Sequence, residues 1–468
     1  MKLNTDGGVY SRRKHFFYPC AFIFMKNLLL LHFMFLLIHS ATAQRSLDVQ
    51  VQQFTDQQYS VLDTLYKHLH RHPELSSQEQ QTARLLAGEL KRLGFKVQEK
   101  IGMHNLVGVF KNGEGPTLLI RTDMDALPLE EKTGVSYAST VRGTNAAGET
   151  VGVMHACGHD IHMTVFVGTA RTLVALKDQW QGTLVMVAQS AEETGFGADA
   201  LFKAKLYEKI PLPDYAIALH DNASLPAGTV GYRAGEFMAS VDMVDITVYG
   251  EGGHGAAPHT TKDPIMLSAE MINAFQTIVS REINPIHPAV VTVGSIHGGT
   301  VHNIIPDEVR MQLTLRSYSP EVREQTVEAL HRMSRSLAQR ARLPEDKYPK
   351  ISIRDPQTPA TINDPELTNR LVAVFKKTLG EEQVIETPPN MVGEDFSRFG
   401  LQDERVPICM FWLGAVDPQQ VAAAAAGGSK LPSLHSPTYA PMPEPTIKTG
   451  IRAMSAAALE LLGGNPAK

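Results

Sequence analysis

Cysteine, histidine and carboxylate side chains crowd into a few short segments of this 468-residue chain. They are Arg121-Thr122-Asp123-Met124-Asp125-Ala126-Leu127-Pro128, His155-Ala156-Cys157-Gly158-His159-Asp160, Ala191-Glu192-Glu193 and His220, with a later histidine in Leu434-His435-Ser436-Pro437. Thiolate, imidazole and carboxylate together suit zinc, with manganese or cobalt as competitors. Cys157 and His159 can reach two adjacent ions only if the chain bends tightly between them, which the intervening glycine permits. Taken alone, a Cys-Gly-His triplet is an ordinary loop, and adjacent glutamates are common at helix starts because anions favour that end of the dipole. Taken together, the set has the ligand count of a two-metal centre and leaves one glutamate over for proton transfer.

Residues so far apart in sequence can meet only if the fold brings them to one crevice. Val61, Leu62, Leu65, Tyr66 and Leu69 recur at helical spacing, and Ser76-Ser77-Gln78-Glu79 reads as a capping box opening a second helix through Leu86, Leu90 and Leu93. Leu106–Phe110, Leu118–Ile120, Thr183–Ala188 and Tyr215–Leu219 are short apolar runs of buried-strand type, with a helix over Met163–Leu176 among them. This alternation predicts an α/β domain with a mainly parallel sheet, whose ligands bind beyond the carboxyl ends of its strands. Asp123, Glu192, Glu193 and His220 all follow such strands. From about Gly235 the rhythm changes to strand Val241–Gly250, helix Pro264–Ile283, strand Val290–Ile296, an alternating strand through Val309 to Leu315, helix Pro320–Ala341 and strand Ile351–Ile353. That β-α-β-β-α-β order is a ferredoxin-like α+β insertion. An apolar strand at Val406–Leu413, a loose Ala/Gly stretch at Val421–Gly428 and a helix over Ile447–Leu462 complete the chain. The expected boundaries are 44–234 and 356–468 for the two parts of the catalytic domain, and 235–355 for an inserted lid or dimerisation domain.

With these segments in this order, from His70-Arg71-His72-Pro73-Glu74-Leu75-Ser76 to His435-Ser436-Pro437, the chain resembles the di-metal aminoacylase and carboxypeptidase family. Within it, the resemblance is to the amidohydrolase subgroup of hippurate hydrolases, N-acyl-amino-acid amidohydrolases and plant auxin-conjugate hydrolases. The resemblance implies a zinc-peptidase-type catalytic domain holding two divalent ions, zinc or manganese, with cobalt or nickel as alternatives. It implies Cys157, His159, Glu193, His220 and His435 as ligands and Glu192 as the general base that takes a proton from the metal-bridging water. Asp123, Asp125 and Asp160 would then orient the histidines or their loops, or serve as plain turn residues. It also implies that His254, in Gly252-Gly253-His254-Gly255, donates to the developing oxyanion, often across a dimer interface, and that Asn303 contacts substrate. Arg316, at the end of the alternating strand, could hold a substrate carboxylate bidentately or be a solvated strand end. His70 and His72 read as structural. Thr194, Phe196 and Asp221-Asn222-Ala223-Ser224 depart from the family pattern beside the site and would reshape a substrate pocket.

The activity implied is hydrolysis of the amide of an N-acyl amino acid, in a homodimer where His254 acts in trans; the rivals are a metallocarboxypeptidase or dipeptidase, and a catalytically silent periplasmic binding protein. A hydrolase using Cys157 as nucleophile is a further alternative, distinguishable because it would survive metal removal. Leu28 to Ile38, after Lys26 and before Ala41-Thr42-Ala43, reads as a cleaved signal over residues 1–43 and hence as export to the periplasm or medium, with no membrane contact once it is removed. A net charge of −5, with 43% hydrophobic and 20% charged residues, is ordinary globular composition and argues against a nucleic-acid partner. Of three cysteines, Cys20 leaves with the signal, and Cys157 and Cys409 are too few for a disulfide scaffold, although one bridge between them is conceivable.

Overall fold

A computed structural model describes residues 47–463. The expected signal sequence and Cys20 lie outside the described residues. The chain divides into a short body, Met1–Gln52, whose described residues are helical, and a large one, Gln53–Lys468.

The large body holds an eight-stranded sheet in the spatial order Lys96–Glu99, Leu106–Asn112, Gly182–Gln189, Thr117–Asp123, Tyr215–Pro226, Ile408–Val416, Val230–Tyr232 and Val384–Glu386. The central pairings, from Gly182–Gln189 through to Ile408–Val416, are parallel, and antiparallel pairs flank them. The central strands read as continuous apolar runs because both faces are covered: Thr117–Asp123, Gly182–Gln189 and Ile408–Val416 are buried at every residue. One face is covered by helices His159–Ala175 and Pro443–Leu462, both buried along most of their length. This is the α/β, mainly parallel architecture expected from the sequence.

A separate four-stranded antiparallel sheet has the order Ala289–His297, Glu308–Ser317, Asp242–Tyr249, Lys350–Ile353. In chain order that is 2-3-1-4, the ferredoxin-like arrangement. Val244, Ile246 and Val248, with Val309, Met311, Leu313 and Leu315, put one face against Leu267, Met271 and Phe275 of helix Pro264–Thr277. The intervening residues are more exposed, which is why these strands alternate where the central strands of the large sheet do not.

Three local expectations fail. The Ala/Gly stretch is not loose: Pro418–Ala425 is a helix, with Asp417 accepting from the Gln419 amide and proline at its first position. Tyr215–Leu219 does not stop before His220 but runs on to Pro226, paired in parallel with Ile408–Val416. Ser76 and Glu79 do not form a capping box. The amides of Gln81 and Thr82 are capped by the Glu74 carboxylate at 2.7–3.1 Å instead, and the side chains of Ser76 and Glu79 are used elsewhere.

Candidate active site

Asp123 ends its strand, Glu192 and Glu193 follow the Gly182–Gln189 strand, and Cys157 lies just before helix His159–Ala175. Together with His220 they meet on one side of the sheet, where the loop carrying His435 is fastened by its own backbone. His435 N donates to Ala156 O at 2.8 Å, and Lys132 N donates to Pro437 O at 2.7 Å.

Cys157 is the hub. Its Sγ lies 3.5 Å from His220 Nε2 and 3.2 Å from His435 Nε2. Glu193 Oε2 is 3.4 Å from His435 Nε2, and Glu193 Oε1 is 3.9 Å from His159 Nε2. The donor atoms of Cys157, His159 and His220 form one triad within 4.8 Å, those of Cys157, Glu193 and His435 another, and those of His159, Glu192 and Glu193 a third. His159 Nδ1 faces Asp125 O at 2.8 Å, and His220 Nδ1 faces Asp221 O at 2.8 Å. Each therefore donates from Nδ1 and turns the lone pair of Nε2 inward, the tautomer a metal-binding histidine needs. His159 Nε2 and Glu193 Oε1 are buried with no hydrogen-bond partner among the described residues. Two unpaired buried acceptors facing each other are costly unless a cation lies between them, so the donor set fits divalent ions.

The supports are almost wholly buried. Asp125 accepts the amides of Glu192 and Glu193 at 3.1 and 3.0 Å and the Ser76 hydroxyl at 2.6 Å. His162, one helical turn beyond His159, donates to Asp123 at 2.7 Å and accepts the Asp221 amide at 2.8 Å. Asp221 also accepts the Tyr439 hydroxyl. Asp221 thus supports His220 and His162 from beneath, fully buried, and does not shape a substrate pocket as its departure from the family pattern suggested. It also explains the glycine between Cys157 and His159. Gly158 has φ +72°, and a Cβ there would lie 2.1 Å from Asp221 Oδ2. Asp160 does not orient a metal-site histidine: it pairs with His70 at 2.6 Å, and Glu131 takes the other nitrogen of that ring at 3.0 Å.

A second layer escaped the sequence reading. Arg121 is buried among Asp123 at 2.9 Å, Glu394 at 2.9 Å, Asp395 at 3.1 Å and Gln189 at 3.1 Å. Arg121 lay inside a segment already singled out, but a basic residue in a strand reads as an exposed position until its partners, some 270 residues away, are known. Burial, then the Glu394 and Glu193 carboxylates, push the Glu192 carboxyl well above its ordinary range. Burial, then Glu193 and Asp221, push the Cys157 thiol up. Cys157 and Cys409 are both free, so the conceivable bridge does not form.

The three remaining candidates stand apart from the donors. His254 and Asn303 are exposed neighbours on a short ribbon, where Gly253–His254 pairs with Ile304–Ile305 and Gly255 N donates to Asn303 O at 2.9 Å. Neither hydrogen-bonds to a residue of the donor cluster. Arg316 is half-buried; its guanidinium has no hydrogen bond or ion pair among the described residues and lies near Gly393, where a Cβ would come within 3.3 Å of its Nη1. Gly393 directly precedes Glu394, one of the carboxylates around Arg121.

A mainly parallel sheet thus presents a cluster of cysteine, histidine and carboxylate donors able to hold metal ions. The chain belongs to peptidase family M20/M25/M40, whose model matches residues 119–427, and it acts on amide or peptide bonds. It is 38% identical to thermostable carboxypeptidase 2 of Saccharolobus solfataricus over 74% of this chain and 84% of that protein. It is 36% identical to the N-acetyl-L-cysteine deacetylase of Bacillus subtilis over 71% and 76% of the two chains, and 33% identical to the N-acetyldiaminopimelate deacetylase of Lactobacillus helveticus over 86% and 98%. Among solved structures, the Bacillus subtilis YXEP protein, described as a dinuclear metal binding peptidase, superposes with a TM-score of 0.68 at 26% identity, covering 88% of this chain and 99% of that one.

Proposed function

We propose that the protein hydrolyses the amide bond of N-acyl amino acids, with two divalent cations held by Cys157, His159, Glu193, His220 and His435 and with Glu192 as general base. The observation that carries this reading is the pair of donor triads sharing Cys157, with Glu192 in contact and the unpaired buried atoms of His159 and Glu193 turned toward each other. Bound there, the cations supply a water acidified toward neutrality and polarise the scissile carbonyl. Glu192 takes the proton from that water and returns it to the leaving amine, while Glu193 is occupied as a ligand. Arg316, with its guanidinium unpaired and half-buried, takes the substrate carboxylate, and Asn303 and His254 contact substrate from the inserted domain, His254 in a homodimer. The relatives named as deacetylases support an acyl amino acid, and the relative named as a carboxypeptidase supports the second reading, a short peptide. Residues 1–43 are read as an export signal, which places the enzyme in the periplasm or medium.

The test is amine release by residues 44–468, stripped of metal and reloaded with zinc or manganese, from a panel of N-acyl amino acids and dipeptides. Metal-dependent release from acyl amino acids is expected. Release from dipeptides alone favours the peptidase, and none from either with two ions bound overturns both readings.

A further inference from the structure

The segment His70 to Glu79, given no chemical task above, is built into the turn that carries Glu192 and Glu193. Leu75 bridges in parallel to Ala126, and Ala126 N donates to Glu74 O at 2.8 Å, so the segment lies along the Asp125 loop. From it, Ser76 reaches Asp125 at 2.6 Å. Glu79, fully buried, reaches 112 residues onward: its Oε1 accepts the Ala191 amide at 2.8 Å and the Ser77 amide at 2.9 Å. Ala191 has φ +52°, a left-handed conformation that is strained for a residue bearing a Cβ. Four successive amides are thereby held by side chains from three separate segments: Ser190 by Asn105 at 2.7 Å, Ala191 by Glu79, and Glu192 and Glu193 by Asp125. Asn105 and Asp125 fix the two ends of the turn. Glu79 takes the amide of the strained residue in its middle, Ala191, which directly precedes Glu192; the Ala191 carbonyl is taken from within the turn by Gly197 N at 3.0 Å and Thr194 Oγ1 at 3.2 Å.

We propose that Glu79 is a positioning residue for Glu192 and Glu193, holding Ala191 in its left-handed conformation through Oε1. The proposal rests on Glu192 being the base. The Glu79 carboxyl is pushed up to about 8 by burial and then by the Asp125 carboxylate, so glutamine reproduces both its acceptor and its charge state at neutral pH.

The test compares Glu79→Ala, Glu79→Gln, Ala191→Gly, the double variant Glu79→Ala with Ala191→Gly, and Glu192→Gln in the zinc- or manganese-loaded enzyme, with cations per chain, kcat and KM measured for each. Glu79→Ala is expected to keep two cations and a KM within about threefold of the parent, and to lose about 100-fold in kcat, the scale of a catalytic group misplaced by about 1 Å. Glu79→Gln should stay within about fivefold because it keeps the acceptor. Glycine at 191 adopts positive φ freely and should recover about fivefold of the loss in the double variant. Glu79→Ala with kcat within twofold of the parent, Glu79→Gln as defective as alanine, or no recovery from glycine overturns the proposal. Should the alanine variant fail to fold, Glu79→Asp, which shortens the arm by one methylene, is expected to show the same kcat-selective loss and the same recovery. Turnover retained in Glu192→Gln instead overturns the reading of the base, whatever Glu79 does.

Discussion

The two sheets treat their candidate functional residues in opposite ways. At the large sheet the two buried imidazoles are backed by buried partners, His159 by Asp125 and His220 by Asp221, and these supports are themselves held, Asp221 by Tyr439 and Asp123 by both Arg121 and His162, while the exposed His435 is held by its backbone. In the inserted α+β region His254 and Asn303, on a separate two-stranded ribbon, are exposed, and the guanidinium of Arg316 on the small sheet is unpaired among the described residues. The difference separates two tasks. Groups that must meet two cations and a reacting bond need positions fixed to a fraction of an ångström, which only interlocking buried contacts supply. Under the proposed function, His254, Asn303 and Arg316 would complete their contacts only when substrate arrives.

That contrast can be broken most severely at its buried end. Glu192→Gln should retain two cations and lose about 1,000-fold or more in kcat, within the range of general-base contributions; paired metal analysis and turnover measurements check this, and near-normal turnover would falsify the role. Next is Tyr439→Phe, which removes the hydroxyl donor to Asp221 and should weaken cation affinity about 10-fold, read by competition with a chelator. An unchanged affinity would mean that the backing of His220 is ornamental. At the open end, Arg316→Ala should raise KM about 10- to 100-fold with little change in kcat, the value of a hydrogen bond to a charged group. A kcat loss at constant KM would move Arg316 to the buried, rigid side of the comparison.

The smallest effect concerns stability. His70 is driven up to about 10: burial opposes its charge, but hydrogen bonds to Asp160 and Glu131 prevail. A folded-state value above the ordinary one of about 6.5 means stabilisation that is complete below about pH 6.5 and lost as pH rises through about 10. The Tm difference between the parent and His70→Gln should therefore narrow by a few degrees from pH 6 to pH 10. A constant difference would show that His70 stays neutral.

Much of the fold was legible because apolar period and run length report burial directly: full runs for central strands, alternation for the half-covered sheet. The short strands Lys96–Glu99, Val230–Tyr232 and Val384–Glu386 carry no such pattern, since they pair at or near the margins of the large sheet. The Ala/Gly stretch was misread for the same reason. Helix Pro418–Ala425 buries none of its residues, and what begins it is a cap, not a stripe.

The sequence by itself determined the chemical vocabulary of the site: one thiol, three imidazoles and two adjacent carboxylates, in an order that resembles one enzyme family. It also determined that strand ends would present the carboxylates, because strand patterns lead into Asp123 and Glu192, whereas His220 lies within its strand. Only the tertiary structure decided which of the remaining polar residues serve them. Ser76 and Glu79 have the spacing of a cap, yet Asp125 and the Ala191 amide claim them. Asp221 looks like a pocket substitution, yet Tyr439 and His162 bury it. Arg121 gains its meaning only from Glu394 and Asp395. Local spacing fixes what a side chain can do, but a buried polar group must find a partner, and across 50 to 280 residues that partner is chosen by packing.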